Sequence, residues 1–236
     1  MKDSDYETCA EDPRSYVRYM LMAKGIVTVS HLMKTMLVAD TFERYLQAVK
    51  IARDVVENLD RLHSAGIVHR DIHQGNLVQM TNNAFGLIDF GKSFFEGDMT
   101  DGLYRFNIHW SLTHWNLQGS RFGFRDDVYK ALLAASFVAV PSRFKECWAM
   151  GRTEDRREEL IKWHANKDLF ESDDSALFTM AFPSAEKREI IRHSFWSAVE
   201  IARSVVSVSA RPDYSGILAH LKVAYENITR LPRPMS

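Results

Sequence analysis

An apolar stripe constrains this fold more than any other feature. Phe42, Tyr45, Leu46, Val49, Ala52, Val56, Leu59 and Leu62 recur mostly at spacings of three and four. Side chains so spaced share one face of an α-helix, which predicts a long helix over about 41–65 with one buried side. Gly66 supplies the stop, because glycine takes left-handed C-terminal geometry at little cost. Three short β-like pieces follow: "GIVHR", "GNLVQM" and "FGLIDF". The "TNN" at 81–83 reads as a hairpin turn between the last two.

On either side the pattern changes. Residues 1–15 form a polar tail. "YVRYMLMAKG" (16–25) reads as a strand followed by a turn at Gly25, and "VSHLMKTML" as a short helix with Ser30 as its N-cap. From about residue 126 onward the chain reads as mostly helical. "DDVYKALLAASFVAV" is strongly apolar and is cut off at Pro141, which lacks a backbone donor. "RTEDRREELIKWHAN" carries charge on its outer positions. "PSAEKREIIRHSFWSAVEIARSVVSVS" opens on a helix-start signature, and "RPDYSGILAHLKVAYENITRL" has Asp213 as a candidate cap. The class is α+β: a few short strands, then a mainly helical body.

Composition narrows the function. With 236 residues the chain buries a substantial core. Its 30 basic and 31 acidic residues balance, which gives no bulk attraction to nucleic acid. Two distant cysteines, Cys9 and Cys147, make no disulfide framework and suit a reducing compartment. No run reaches the roughly 18 apolar residues of a membrane span, and the first residues lack a signal-peptide core. A cytoplasmic location is expected.

The chemistry concentrates in "HRDIHQGN", residues 69–76. Asp71 and Asn76 lie five apart, and Asp89 follows. Carboxylate and amide oxygens suit a hard cation such as Mg²⁺. Two histidine pairs, His69/His73 and His109/His114, raise a zinc reading. Zinc sites usually draw on three or four ligands at helical or knuckle spacing, so packing is preferred for the second pair.

"LHSAGIVHRDIHQGNLV" followed by "FGLIDFG" resembles the catalytic loop and metal-binding loop of the protein kinase superfamily: H-R-D-x-x-x-x-N, then D-F-G. The resemblance implies a protein-kinase-like fold with a mainly α-helical C-lobe and a short β-hairpin catalytic region. It implies that Asp71 accepts the substrate hydroxyl's proton, that Asn76 and Asp89 hold Mg²⁺, and that Asp89 bridges the metal to the phosphates of ATP. His69 and Arg70 would hold the loop, and Gly91 would turn the chain after the metal ligand. "RDDVYKALL" resembles the start of the central C-lobe helix, with Asp127 bonding the catalytic-loop backbone. "RPDY" at 211–214 resembles the stretch before the last helix. The wording is closest to the casein kinase 1 and vaccinia-related kinase branch, which also lacks the usual A-P-E motif. Residues 102–116 would be the activation segment.

One departure stands out. The family's serine/threonine members usually place Lys two residues after the catalytic Asp, against the γ-phosphate; here it is His73. "DIHQGN" also resembles the D-x-H-x-G-N of small-molecule phosphotransferases. A neutral His donates one hydrogen bond but supplies less charge than Lys.

A second departure is upstream. Residues 1–24 hold no glycine, and Lys2, Glu7 and Glu11 lie in the polar tail, a pattern expected either of a fragment of a longer kinase or of a short chain with little N-lobe of its own. The resemblance therefore implies a reduced N-lobe: 16–25 as its last strand and hinge, and 26–236 as the C-lobe. Met20 or Met22 would be the gatekeeper, with Met22, Ala23 and Lys24 facing the adenine. The expected function is transfer of the ATP γ-phosphoryl group to a Ser/Thr hydroxyl of a protein substrate. The alternatives are a pseudokinase that binds nucleotide weakly or serves as a scaffold for a docking partner, and a small-molecule phosphotransferase.

Overall fold

The computed structural model describes residues 25–36, 40–95, 123–142, 175–205 and 210–231. The chain enters through β1 (Gly25–Thr28) and α1 (Val29–Met36) and continues into the long α2 (Thr41–Ser64). Short strands follow: β2 (Ile67–Val68), β3 (Leu77–Met80), β4 (Phe85–Leu87) and β5 (Phe94–Phe95), with a 3₁₀ turn at Phe90–Lys92 before the last. The helices α3 (Phe124–Ala139), α4 (Ser175–Ala181), α5 (Ala185–Ser204) and α6 (Tyr214–Thr229) complete the described residues. The class is α+β, as expected.

The apolar stripe sets the position of α2. Asp40 caps its start, accepting from Glu43 N at 2.7 Å. Gly66, with φ 73°, ends it and donates to His63 O at 3.1 Å. Tyr45, Val49, Ala52, Val56 and Leu59 are buried, and so are Ile51 and Val55 beside them. The stripe is wider than its period indicates because α2 is covered on several sides, by α3, α6 and β4. At its N-terminal end Phe42 and Tyr45 stack with Phe178 and Phe182, with Tyr45 and Phe178 centred 4.7 Å apart.

Every residue of α3 from Asp126 to Ala139 is buried. A helix apolar on nearly all sides must sit at the centre, packed here against α2 and α5. Its few polar residues, Asp126, Asp127, Lys130 and Ser136, are therefore buried as well and need partners. Ser184 caps α5 through Lys187 N at 3.3 Å, and Asp213 caps α6 through Gly216 N at 2.9 Å, as the sequence indicates.

The strands make two small antiparallel sheets, ordered β1-β3-β4 and β2-β5. The "TNN" segment is the hairpin turn, with Asn83 at φ 63°, and the register pairs Leu77 with Leu87 and Gln79 with Phe85. Side chains of α2 bind β4 directly. Asn58 Nδ2 donates to Phe85 O at 2.8 Å, and Phe85 N donates to Asp54 Oδ2 at 3.2 Å. The hairpin is thereby fixed to the spine.

Two boundaries differ from expectation. Gly25 opens a strand rather than closing one. A Cβ there would meet Val78 Cγ2 at 2.4 Å, so glycine serves the close approach of β1 to β3. Ser30 lies inside α1, and Thr28 does the capping, its Oγ1 accepting from His31 N at 3.3 Å. Most of the expected first strand (16–24), the activation segment (102–116) and the charged helix (152–166) lie outside the described residues. Among the described residues, no helix is long and apolar enough to cross a membrane.

Candidate functional site

The loop from His69 to Asn76 joins β2 to β3 and is held from beneath by α3. Asp127 is fully buried and its carboxylate accepts three hydrogen bonds. His69 N donates to Oδ2 at 2.6 Å, Arg70 N to Oδ1 at 2.9 Å, and His63 Nε2 to Oδ2 at 3.1 Å. The expectation that Asp127 bonds the loop backbone is met. Arg70 takes a left-handed backbone (φ 71°), a conformation that costs a non-glycine residue about 1–3 kcal/mol. The twin acceptor beneath it keeps it there.

His63 extends this frame to the start of α6. Its Nδ1 faces the Tyr214 hydroxyl in a short contact. With the carboxylate accepting at Nε2–H, Nδ1 is the acceptor and Tyr214 the donor. Burial, reinforced by the Asp127 charge, holds the tyrosine protonated. Side chains of α2, α3 and α6 thus meet in one buried chain of hydrogen bonds beneath the loop.

His69 is buried and links both halves of the site. Its Nε2–H donates to Ile88 O at 3.0 Å, which leaves Nδ1 to accept from Asp71 N at 3.3 Å. Its ring lies 4.8 Å from that of Phe90. Ile72 is buried in the core and anchors the loop midway, while Gln74 O accepts from Ser30 N at 2.9 Å.

Asp71 and Asn76 are brought together. Asn76 Nδ2 donates to Asp71 O at 2.9 Å and to Asp71 Oδ2 at 3.3 Å. This fixes the orientation of the amide and leaves Oδ1 as its acceptor end. Gly75 is required beside it: a Cβ would meet His73 Cε1 at 2.8 Å, and its N–H donates to His73 Nδ1 at 3.0 Å. His73 Nε2 lies 3.9 Å from Asp71 Oδ2. Burial lowers the His73 pKa, only partly offset by Asp71, so the imidazole is neutral at pH 7.

Asp89 stands at the end of the β3–β4 ladder. Ile88 N donates to Asn76 O at 3.0 Å, so the ladder carries one pair past Leu77–Leu87 and ends beside Asp89. Asp89 is exposed and left-handed (φ 62°), and its Oδ1 accepts from Gly91 N at 3.2 Å. The sharp turn expected at Gly91 is made by Asp89 itself. Its short carboxylate bonds the local backbone, which is why Asp tolerates this region. Met20, Met22, Ala23 and Lys24 lie outside the described residues.

Two cations escape sequence inspection. Lys92 ends the 3₁₀ turn, and its Nζ donates to Asp71 Oδ2 at 2.8 Å. Burial pushes the Asp71 pKa up, but the Lys92 hydrogen bond and charge outweigh it and hold the carboxyl below its ordinary value. Lys130, buried on α3, sits in the fields of Asp127, Asp126 and Asp71, and its burial lowers its pKa. The sequence signal for Lys92 was its place directly after "DFG". Lys130 left none, because a lysine inside an apolar helix is visible as central only once the packing is known.

Chemically, the arrangement offers an ionised carboxylate for a hydroxyl proton, an amide oxygen and a carboxylate for a hard cation, and one exposed ammonium. Among the described residues, no three His, Cys, Asp or Glu side chains converge as a metal cage. Mg²⁺ seldom needs one, since it usually takes one or two protein oxygens and fills its shell with phosphate and water.

No protein-family model matches the chain. Among known proteins it is 34% identical over 85 residues to the serine/threonine-protein kinase TOS3 of Saccharomyces cerevisiae, covering 34% of this chain and 15% of that protein. It is 30% identical over 107 residues to a dual serine/threonine and tyrosine protein kinase of Apis mellifera, covering 43% of this chain and 11% of that protein. It is 44% identical over 48 residues to the serine/threonine-protein kinase ssp1 of Schizosaccharomyces pombe, covering 20% and 7%. The matches therefore span less than a sixth of each relative's length. Partial similarity to serine/threonine protein kinases supports reading this as a kinase-like chain.

Proposed function

We propose that the chain is a kinase-like phosphotransferase that moves the γ-phosphoryl group of ATP to a Ser/Thr hydroxyl of a protein. The observation that carries the reading is the joining of Asp71 to Asn76, at the ladder end where Asp89 stands. Asn76 Oδ1 and Asp89 would hold Mg²⁺, which neutralises phosphate charge when bound. Asp71 takes the hydroxyl proton as that oxygen bonds to the γ-phosphorus. The bond to the β–γ bridging oxygen breaks, and ADP leaves with its electron pair. His69, Arg70 and Asp127 position Asp71. Residues 16–25, with Met22, Ala23 and Lys24, would form the adenine-facing hinge, and 26–236 the helical lobe.

The test has two parts. Mg-ATP should raise the melting temperature of the full chain, because a ligand that binds only the folded state stabilises it. Radiolabel from ATP should reach a generic protein substrate, and Asp89→Ala should abolish it. Equal label from both proteins removes the assignment. A thermal shift without transfer selects the nucleotide-binding scaffold, and no thermal shift selects a scaffold that binds no nucleotide.

A further inference from the structure

We propose that Lys92 supplies the positive charge that His73 does not, resting on Asp71 in the free chain and moving to the terminal phosphate of bound Mg-ATP. The inference rests on the phosphotransferase reading above and adds a residue to it. The loop needs such a group. His73, two residues after Asp71, is occupied: its Nδ1 accepts from Gly75 N at 3.0 Å. A ring whose Nδ1 accepts carries its one N–H at Nε2, so it offers a single hydrogen bond and no net charge, whereas transferring a phosphoryl group demands charge stabilisation. Lys130 is buried on the central helix, within the fields of Asp127, Asp126 and Asp71.

Lys92 has the opposite character. Its side chain is 55% exposed, against 20% for Asp71. A pair so exposed gains little from its mutual attraction and re-forms easily with a more highly charged partner. Four rotatable bonds give the ammonium reach, and the left-handed turn at Asp89 swings the residue back over the loop. Moving Nζ from Asp71 to a phosphate would also uncover the carboxylate for the substrate hydroxyl. One lysine thus covers the base until nucleotide arrives.

The experiment is calorimetric titration of the full chain with Mg-ATP and with Mg-ADP. It uses the wild type, Lys92→Met, Lys92→Arg, and Lys92→Met combined with His73→Lys. Lys92→Met should weaken Mg-ATP binding by about ten-fold or more and leave Mg-ADP within about two-fold, the loss of one charge-assisted bond to the γ-phosphate. Lys92→Arg should keep most of the preference for Mg-ATP. The added His73→Lys should restore it, because the charge returns by another route. Equal losses for both nucleotides, or none, overturn the role of Lys92 and leave the phosphotransferase reading standing. A wild type that binds neither nucleotide overturns both.

Discussion

Replacing Asp127 with Ala should unfix the His69–Asn76 loop. Asp127 is fully buried and accepts from His69 N, Arg70 N and His63 Nε2 at 2.6, 2.9 and 3.1 Å. Truncation leaves three donors without an acceptor, two of them buried and that of Arg70 partly so, and each buried one costs about 1–3 kcal/mol. Two effects work the other way. Removing a buried carboxylate relieves its desolvation, and Arg70 is released from its left-handed backbone, returning about 1–3 kcal/mol. The net loss should be about 4 kcal/mol, a large part of the stability of a typical domain. Asp127→Asn keeps the volume and one acceptor oxygen but opposes a second donor to a backbone N–H, and should lose about 2 kcal/mol. Urea unfolding reads the size: with a slope near 2–3 kcal/mol/M, the Ala variant's midpoint falls by about 1.5 M. Hydrogen exchange reads the place, since the amides of His69 and Arg70 should lose protection beyond that expected from global destabilisation. An Ala variant within about 1 kcal/mol of wild type, with both amides still protected, would refute the reasoning.

Three further outcomes follow from the same geometry. Burial raises the Asp126 pKa to about 6, against 3.8 for the free side chain, although Gly123 N–H pulls it down. The folded state therefore binds this proton more tightly. The stabilisation is complete below about pH 4 and is lost as pH rises through about 6, a change of about 3 kcal/mol. Subtracting the stability profile of Asp126→Asn from that of the wild type should expose this slope, and parallel profiles would contradict it. Tyr214→Phe removes the donor facing His63 Nδ1. It should lower stability by about 1–2 kcal/mol in thermal denaturation, while the His63–Asp127 bond survives. Gly66→Ala meets no atom within 4 Å, yet it places a side chain at φ 73°. Its cost of about 1 kcal/mol would come from the backbone alone, and Gly66→Asn should recover part of it in the same denaturation assay.

The sequence was legible where one element settles its own shape. The stripe from Phe42 to Leu62 and the stop at Gly66 define α2 almost to its ends, because spacing and cap act locally. The hairpin at 81–83 and the caps at Ser184 and Asp213 are local in the same sense. Where two elements meet, local reading fails. Gly25 has the local signature of a turn, because nothing in its own segment reveals Val78 against it. Gly91 has the local signature of the bend after Asp89, but that bend depends on the Asp89 carboxylate bonding its own turn. The role of Asp127 was legible only through a resemblance, since 57 and 58 residues separate it from the amides it holds.

The site divides its tasks between buried and exposed groups, and the division follows from dielectric environment. Positioning falls to Asp127, His63 and His69, where hydrogen bonds are strong because water is excluded. The groups that would meet substrate, Asp89 and Lys92, are exposed, so their pairings are weak and exchangeable. Asp71 sits between the two. Its backbone N–H is tied to buried His69, while its carboxylate is covered by an exposed lysine. A carboxylate fixed from below and loosely covered from above can keep its place while changing its partner. That property is what proton acceptance at this position requires. It also explains why loss of Lys92 should alter nucleotide preference without destabilising the chain, whereas loss of Asp127 should destabilise it.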